Sequence, residues 1–222
     1  MMLDLPTTHE SALARMAAWG VTFDHFFDVG AAGGTWGKKI RNLWPETSIF
    51  FVEAAPAWVP QLKQAASRLG GRIEVLNAAA GDEDGDAYFR FDPDNPYGGA
   101  LIDQPAEHAI LVPKVRLDTV IEERALDGRF ALKLDVHGAE RTILTGARRF
   151  MEQCDFVVFE TYNFGPATRR FGQMAVYFEE EFGLRCIDMA EPKWRPYDNA
   201  LWQLDLYFVR PEGTRLAEWR LT

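Results

Sequence analysis

The stretch from Phe26 to Pro45 restricts the fold more than any other. Residues 26–29 form an apolar run that suits a buried strand, and the run breaks at once into Gly30, Gly33 and Gly34. Trp36, Ile40, Leu43 and Trp44 follow at helical spacing, and Pro45 closes the helix. A strand, a glycine turn and a helix in that order open an α/β sheet, whose ligands sit beyond the carboxyl ends of its strands.

The same rhythm runs on. Residues 48–52, 73–76, 130–136, 156–159, 184–189 and 201–209 read as strands. Between them, Trp58, Leu62, Ala65, Ala66 and Leu69 form one helical stripe. Ala139, Ile143, Leu144, Ala147, Phe150 and Met151 form a second, and Phe171, Met174, Ala175, Phe178 and Phe182 a third. Strands alternating with helices predict a mostly parallel sheet covered on both faces. The last two strands are joined by residues 192–200, too few for a helical crossover, so they are expected to pair antiparallel.

Residues 1–22 read as an N-terminal helical extension, opened by Thr7 and Glu10 in a capping-box spacing. Residues 23–222 read as one α/β domain. A stretch rich in Asp, Pro and Gly, residues 82–114, interrupts the rhythm as a loop insertion. Within it, residues 88–91 suit an added strand. Residues 92–99 read as an exposed loop, and Tyr97 makes that loop a candidate lid.

Composition excludes several classes. With 47% hydrophobic residues the chain has ample material for a core, so it is not a disordered chain. A net charge of −9 disfavours a nucleic-acid backbone as the main partner. Two isolated cysteines, Cys154 and Cys186, fit no zinc pattern and read as small core residues. No signal peptide and no membrane span are visible, so a cytoplasmic protein is expected.

The glycine turn takes one of two ligand classes. A dinucleotide fingerprint needs glycine at positions 32 and 35, which are Ala32 and Thr35. That failure disfavours a nicotinamide oxidoreductase. An acid two residues before the first glycine, then small residues and further glycine, suits S-adenosylmethionine (SAM) instead. Asp28, Gly30, Ala31 and Gly34 fit that pattern, and Ala32 in the same turn is expected to bind the cofactor with them. Glu53 ends the second strand 19 residues after Gly34, where a carboxylate can hold both ribose hydroxyls.

Further segments resemble the FkbM family of SAM-dependent methyltransferases. Phe27-Asp28-Val29-Gly30-Ala31 looks like its first motif, and the segment from Asn77 to Gly85 like the one after its third strand. Val115-Arg116-Leu117-Asp118-Thr119-Val120 resembles the lead-in to its fourth strand. The most specific match is Lys133-Leu134-Asp135-Val136-His137-Gly138-Ala139-Glu140, followed by Ile143-Leu144-Thr145-Gly146-Ala147. Two positions depart from the family pattern: His137 stands where Glu is usual, and Ala32 where Asn is usual.

The resemblance implies a class I methyltransferase, Rossmann-like fold with a seven-stranded sheet. It implies O-methylation of a sugar, polyketide or other small-molecule hydroxyl, with S-adenosylhomocysteine (SAH) as product. Ala54, Asn77, Ala79 and Asp135 join the cofactor residues on this reading. His137 is the candidate general base, since histidine is the residue type suited to accept a proton near neutral pH. Asp135 would orient His137 or the cofactor, and Glu160 closes the catalytic set. Two alternatives stay open: a divalent cation held by Asp135, His137 and Glu160, and a SAM-binding protein without turnover.

Overall fold

A computed structural model describes residues 6–164, 170–212, 214 and 216. In chain order the elements are α1 (His9–Ala18), β1 (His25–Val29), α2 (Thr35–Leu43), β2 (Ser48–Val52), a 3₁₀ turn (Pro56–Trp58), α3 (Val59–Leu69) and β3 (Ile73–Leu76). There follow β4 (Ala79–Ala80), β5 (Gly85–Asp92), β6 (Asn95–Ile102), β7 (Ala109–Val115) and α4 (Leu117–Glu123). The chain ends with β8 (Phe130–Leu134), α5 (Glu140–Thr145), α6 (Arg148–Glu152), β9 (Cys154–Tyr162), α7 (Phe171–Phe182), β10 (Arg185–Trp194) and β11 (Leu201–Val209).

The main sheet has seven strands in the order β10-β11-β9-β8-β1-β2-β3. β1, β2, β3, β8 and β9 run parallel, and β11 is antiparallel to both neighbours, as its short connection predicts. All five residues of β1, β2 and β8 are buried, the pattern of strands covered on both faces. One face packs Phe27, Leu132, Leu134 and Phe159 against α4, α5, α6 and α7. The other packs Phe26, Ala131, Val158 and Tyr207 against α1, α2 and α3. Ala12, Leu13 and Met16 of α1 are fully buried there, so this helix belongs to the core. Its cap is Thr8, which accepts from Ser11 N, one residue later than the Thr7–Glu10 spacing predicts.

Two expectations are corrected. Residues 82–114 are not a loop: β5, β6 and β7 join β4 in a second sheet of order β4-β7-β5-β6. The expected exposed loop at 92–99 becomes a turn followed by the edge strand β6. Gly98 and Gly99 carry no side chains there, which removes the alternation that marks a strand. Gly99 is a packing requirement, since a Cβ would stand 2.0 Å from the Phe89 ring. The single stripe from Ala139 to Met151 is split at Gly146, where a Cβ would stand 2.1 Å from the Gly81 carbonyl. α6 restarts because Asp118 accepts from Arg149 N and Phe150 N at 3.1 and 2.8 Å, satisfying the free amides of a helix start.

Candidate active site

Side-chain alternation places the polar residues at the carboxyl ends of the strands on one face. Asp28 shares its face with Phe26, and Lys133 and Asp135 share theirs with Ala131. Asp28 pairs in register with Lys133, and Glu160 with Asp205. All five therefore lie beneath the α1–α2 side of the sheet.

The Lys133 ammonium is the centre of this row. It lies 3.0 Å from Asp135 Oδ2, 3.3 Å from Asp28 Oδ1, and donates to the Gly30 carbonyl at 3.1 Å. Burial opposes its charge, but the two carboxylates outweigh that cost and hold it above the usual lysine range. Asp28 has no exposed surface, and neither of its oxygens has an aligned hydrogen-bond partner. Burial pushes its carboxyl up to about 6 against the pull of Lys133. Burial also acts on Asp135, but there the Lys133 charge prevails and holds the carboxyl below the usual range.

The turn above this row is tight. Gly30 has φ 77° and Gly34 φ 73°, and a Cβ on Gly30 would stand 2.0 Å from the Asp135 carbonyl oxygen. Ala32 also takes a left-handed conformation, φ 43°. Asn tolerates that region far better than Ala, which explains the usual Asn of the resembled motif. Glu53 anchors the turn: its two oxygens accept from Ala32 N and Ala55 N, each at 2.8 Å. Burial raises its carboxyl, and those two amides act against the rise. Asn77 donates to the backbone carbonyls of Glu53 and Ala54, at 2.8 and 3.2 Å.

A cavity of about 340 Å³ opens at this edge of the sheet. Of the expected cofactor residues, Gly30, Ala32, Glu53, Ala54, Ala79 and Asp135 line it. Asp28, Ala31, Gly34 and Asn77 do not, and stand behind the lining. Phe89, Tyr97 and Leu101 of the second sheet form the opposite wall.

Asp135, His137 and Glu160 meet at one end, with donor atoms within 4.8 Å of one another. His137 is half-exposed, and its Nε2 lies 3.9 Å from Glu160 Oε2. It does not cap the following turn, because Gly138 N donates to Glu140. Glu160 lies inside β9 instead of ending it, since the strand continues to Tyr162. Tyr162 donates to its Oε2 at 2.5 Å, and Gln203 to its Oε1. Burial and the Asp135 charge push Glu160 up to about 8, a shift toward its neutral acid form. Asp205 beside it is pushed by burial up to about 7.

Gln203, Asp205, Lys193 and Trp58 carry no motif and escape sequence reading; only strand register and folding bring them here. Trp194 and Trp202 are 55% and 38% exposed on β10 and β11. Both cysteines are free, Cys154 in the core.

Residues 28–186 match the family model described as the methyltransferase FkbM domain. The chain belongs to the FkbM methyltransferase family. It is therefore a methyltransferase that uses SAM and yields SAH. No curated protein matches the sequence. Among solved structures, a candidate rRNA methylase from Clostridium thermocellum is similar at 8% identity, TM-score 0.52, over 93% of this chain and 97% of that one. A candidate RNA methyltransferase from Pyrococcus horikoshii is similar at 13% identity, TM-score 0.50, over 90% and 82%. At such identities the likeness is one of fold, and the fold of this FkbM chain is the class I methyltransferase fold. Among the described residues no helix is long and apolar enough to cross a membrane.

Proposed function

We propose that the protein methylates a hydroxyl oxygen of a small-molecule or glycan acceptor, with His137 as the general base. The observation that carries this reading is the convergence of Asp135, His137 and Glu160 at one end of a cavity whose floor is the glycine turn and Glu53.

The residues present suit SAM. Each Glu53 oxygen already accepts one amide, and each has a second lone pair for a ribose hydroxyl. The glycine turn leads into α2, whose cap position Gly34 makes no side-chain hydrogen bond, so its first amides are free for a carboxylate. Asp135, kept ionised by Lys133, supplies the negative charge that a sulfonium requires. When bound, the cofactor supplies an electrophilic methyl group.

As the acceptor oxygen takes the methyl group that bound SAM would supply, its hydroxyl proton would pass to the His137 imidazole. The resulting imidazolium is stabilised by Asp135 and adjoins Glu160. With Glu160 raised and Asp135 lowered, the negative charge at this end of the site is concentrated on Asp135, beside Lys133. An acceptor without a phosphate backbone suits a chain of net charge −9.

A divalent cation on the same three side chains is a second reading, favoured by their spacing. Tyr162 and Gln203 each donate to one Glu160 oxygen, so a cation would have to share both oxygens with them.

His137→Ala decides the main reading. With labelled SAM and a panel of hydroxyl-bearing acceptors, turnover is expected to fall about 10²- to 10⁴-fold while SAH affinity holds. Near-normal turnover overturns the base assignment. Loss of activity on chelation, restored by added metal, moves the assignment to the cation.

A further inference from the structure

The cavity has two ends of different chemistry. One carries Asp135, His137 and Glu160; the other is walled by Ala54, Ala55, Ala78, Trp58 and Tyr97. The groups of the cofactor come in a fixed order: amino acid, sulfonium, ribose, adenine. With the ribose on Glu53 and the sulfonium beside Asp135, the adenine must extend to the second end. That placement rests on the function proposed above.

Trp58 and Tyr97 come from different parts of the fold. Trp58 closes the 3₁₀ turn after β2, and Tyr97 lies on the edge strand β6 of the second sheet. Their ring centroids are 5.2 Å apart and their planes are tilted by 31°. Tyr97 is nonetheless 64% exposed. A tyrosine ring that is tilted against a neighbouring ring yet mostly exposed at a cavity mouth leaves a face for another flat group.

We infer that Trp58 and Tyr97 form an aromatic clamp on the adenine, so that the β5–β6 hairpin is a cofactor-binding element. A base sandwiched between two rings needs ~7 Å between their planes, two carbon contacts of ~3.5 Å. The 5.2 Å between centroids is an upper bound on the present spacing of the planes, so admitting the base requires the hairpin to move outward by at least about 2 Å. The specificity that follows is for a planar heteroaromatic base, held by Trp58 and Tyr97 among small residues.

The test is calorimetry with SAH and with 5′-methylthioadenosine, which keeps adenine and ribose and lacks the amino acid. Tyr97→Ala is expected to weaken both ligands by the same factor, about 5- to 150-fold, the range of one base–aromatic stack. Tyr97→Phe is expected to stay within about twofold, since stacking survives. SAH is also expected to change the tryptophan fluorescence of the wild type, and Trp58→Phe to abolish most of that change. The inference is overturned if Tyr97→Ala binds SAH as the wild type does, or if only SAH and not methylthioadenosine is weakened. A fluorescence response unaltered in Trp58→Phe also overturns it, whatever the stability of the Tyr97 variants. A wild type that binds neither ligand removes the cofactor placement itself, and the proposed function with it.

Discussion

Lys133 on β8 holds its ammonium 3.3 Å from Asp28 Oδ1 on the neighbouring strand β1, and both side chains are out of solvent. The same ammonium binds the Gly30 carbonyl, so the charge pair also fastens the glycine turn to the sheet. Removing one partner of such a pair strands the other charge in the core. Lys133→Met is expected to destabilise the protein by about 3–5 kcal/mol, measured by urea denaturation. The double variant Lys133→Met with Asp28→Asn is expected to recover part of that loss, because the stranded charge is gone. A single variant within 1 kcal/mol of wild type would show that the pair contributes little.

Glu160 makes stability fall as pH rises. Its carboxyl is raised from the usual range to about 8. Between those values the unfolded chain has lost a proton that the folded chain keeps, so each step upward in pH favours unfolding. The stabilisation is complete below the unfolded value and disappears as pH passes about 8. From pH 6.5 to 8 the expected loss is about 2 kcal/mol. His9, lowered by burial to about 4, acts below this window, and Asp205 at about 7 adds to the fall at its lower edge. Glu160→Gln is expected to flatten the profile, read as unfolding free energy against pH. An equally steep profile in that variant would assign the effect elsewhere.

The turn offers two substitutions of opposite sign. Gly30→Ala forces a Cβ to 2.0 Å from the Asp135 carbonyl at φ 77°, and is expected to abolish SAH binding and lower the melting temperature sharply. Ala32→Gly relieves a left-handed alanine, worth ~1–2 kcal/mol, against ~0.5–1 kcal/mol of added chain entropy. A net gain of about 0.5–1 kcal/mol is expected by thermal unfolding. A loss there would mean that the Ala32 backbone is not strained.

The contrast between Asp135 and Asp205 shows what can be read without coordinates. Asp135 lies in a run whose neighbours, Lys133, His137, Gly138 and Glu140, form a local pattern, and its place at a strand end follows from the same run. Asp205 lies in an unremarkable strand, and only the register of β11 on β9 sets it opposite Glu160. Trp58 and Tyr97 are 39 residues apart and meet only because the second sheet brings β6 to the turn that follows β2.

Local order along the chain therefore determined the strand–helix alternation, the glycine turn with Glu53, the antiparallel last pair and the FkbM motif. Each depends on contacts within about one strand–turn–helix unit, where spacing alone decides which face a residue takes. Tertiary structure decided the rest. It made a second sheet of the apparent loop and set Asp28 behind the cavity instead of in its wall. It also raised Glu160 to about 8, a shift produced by burial and by the Asp135 charge. Burial and charge act through space, between strands that the sequence separates, so no local pattern contains them.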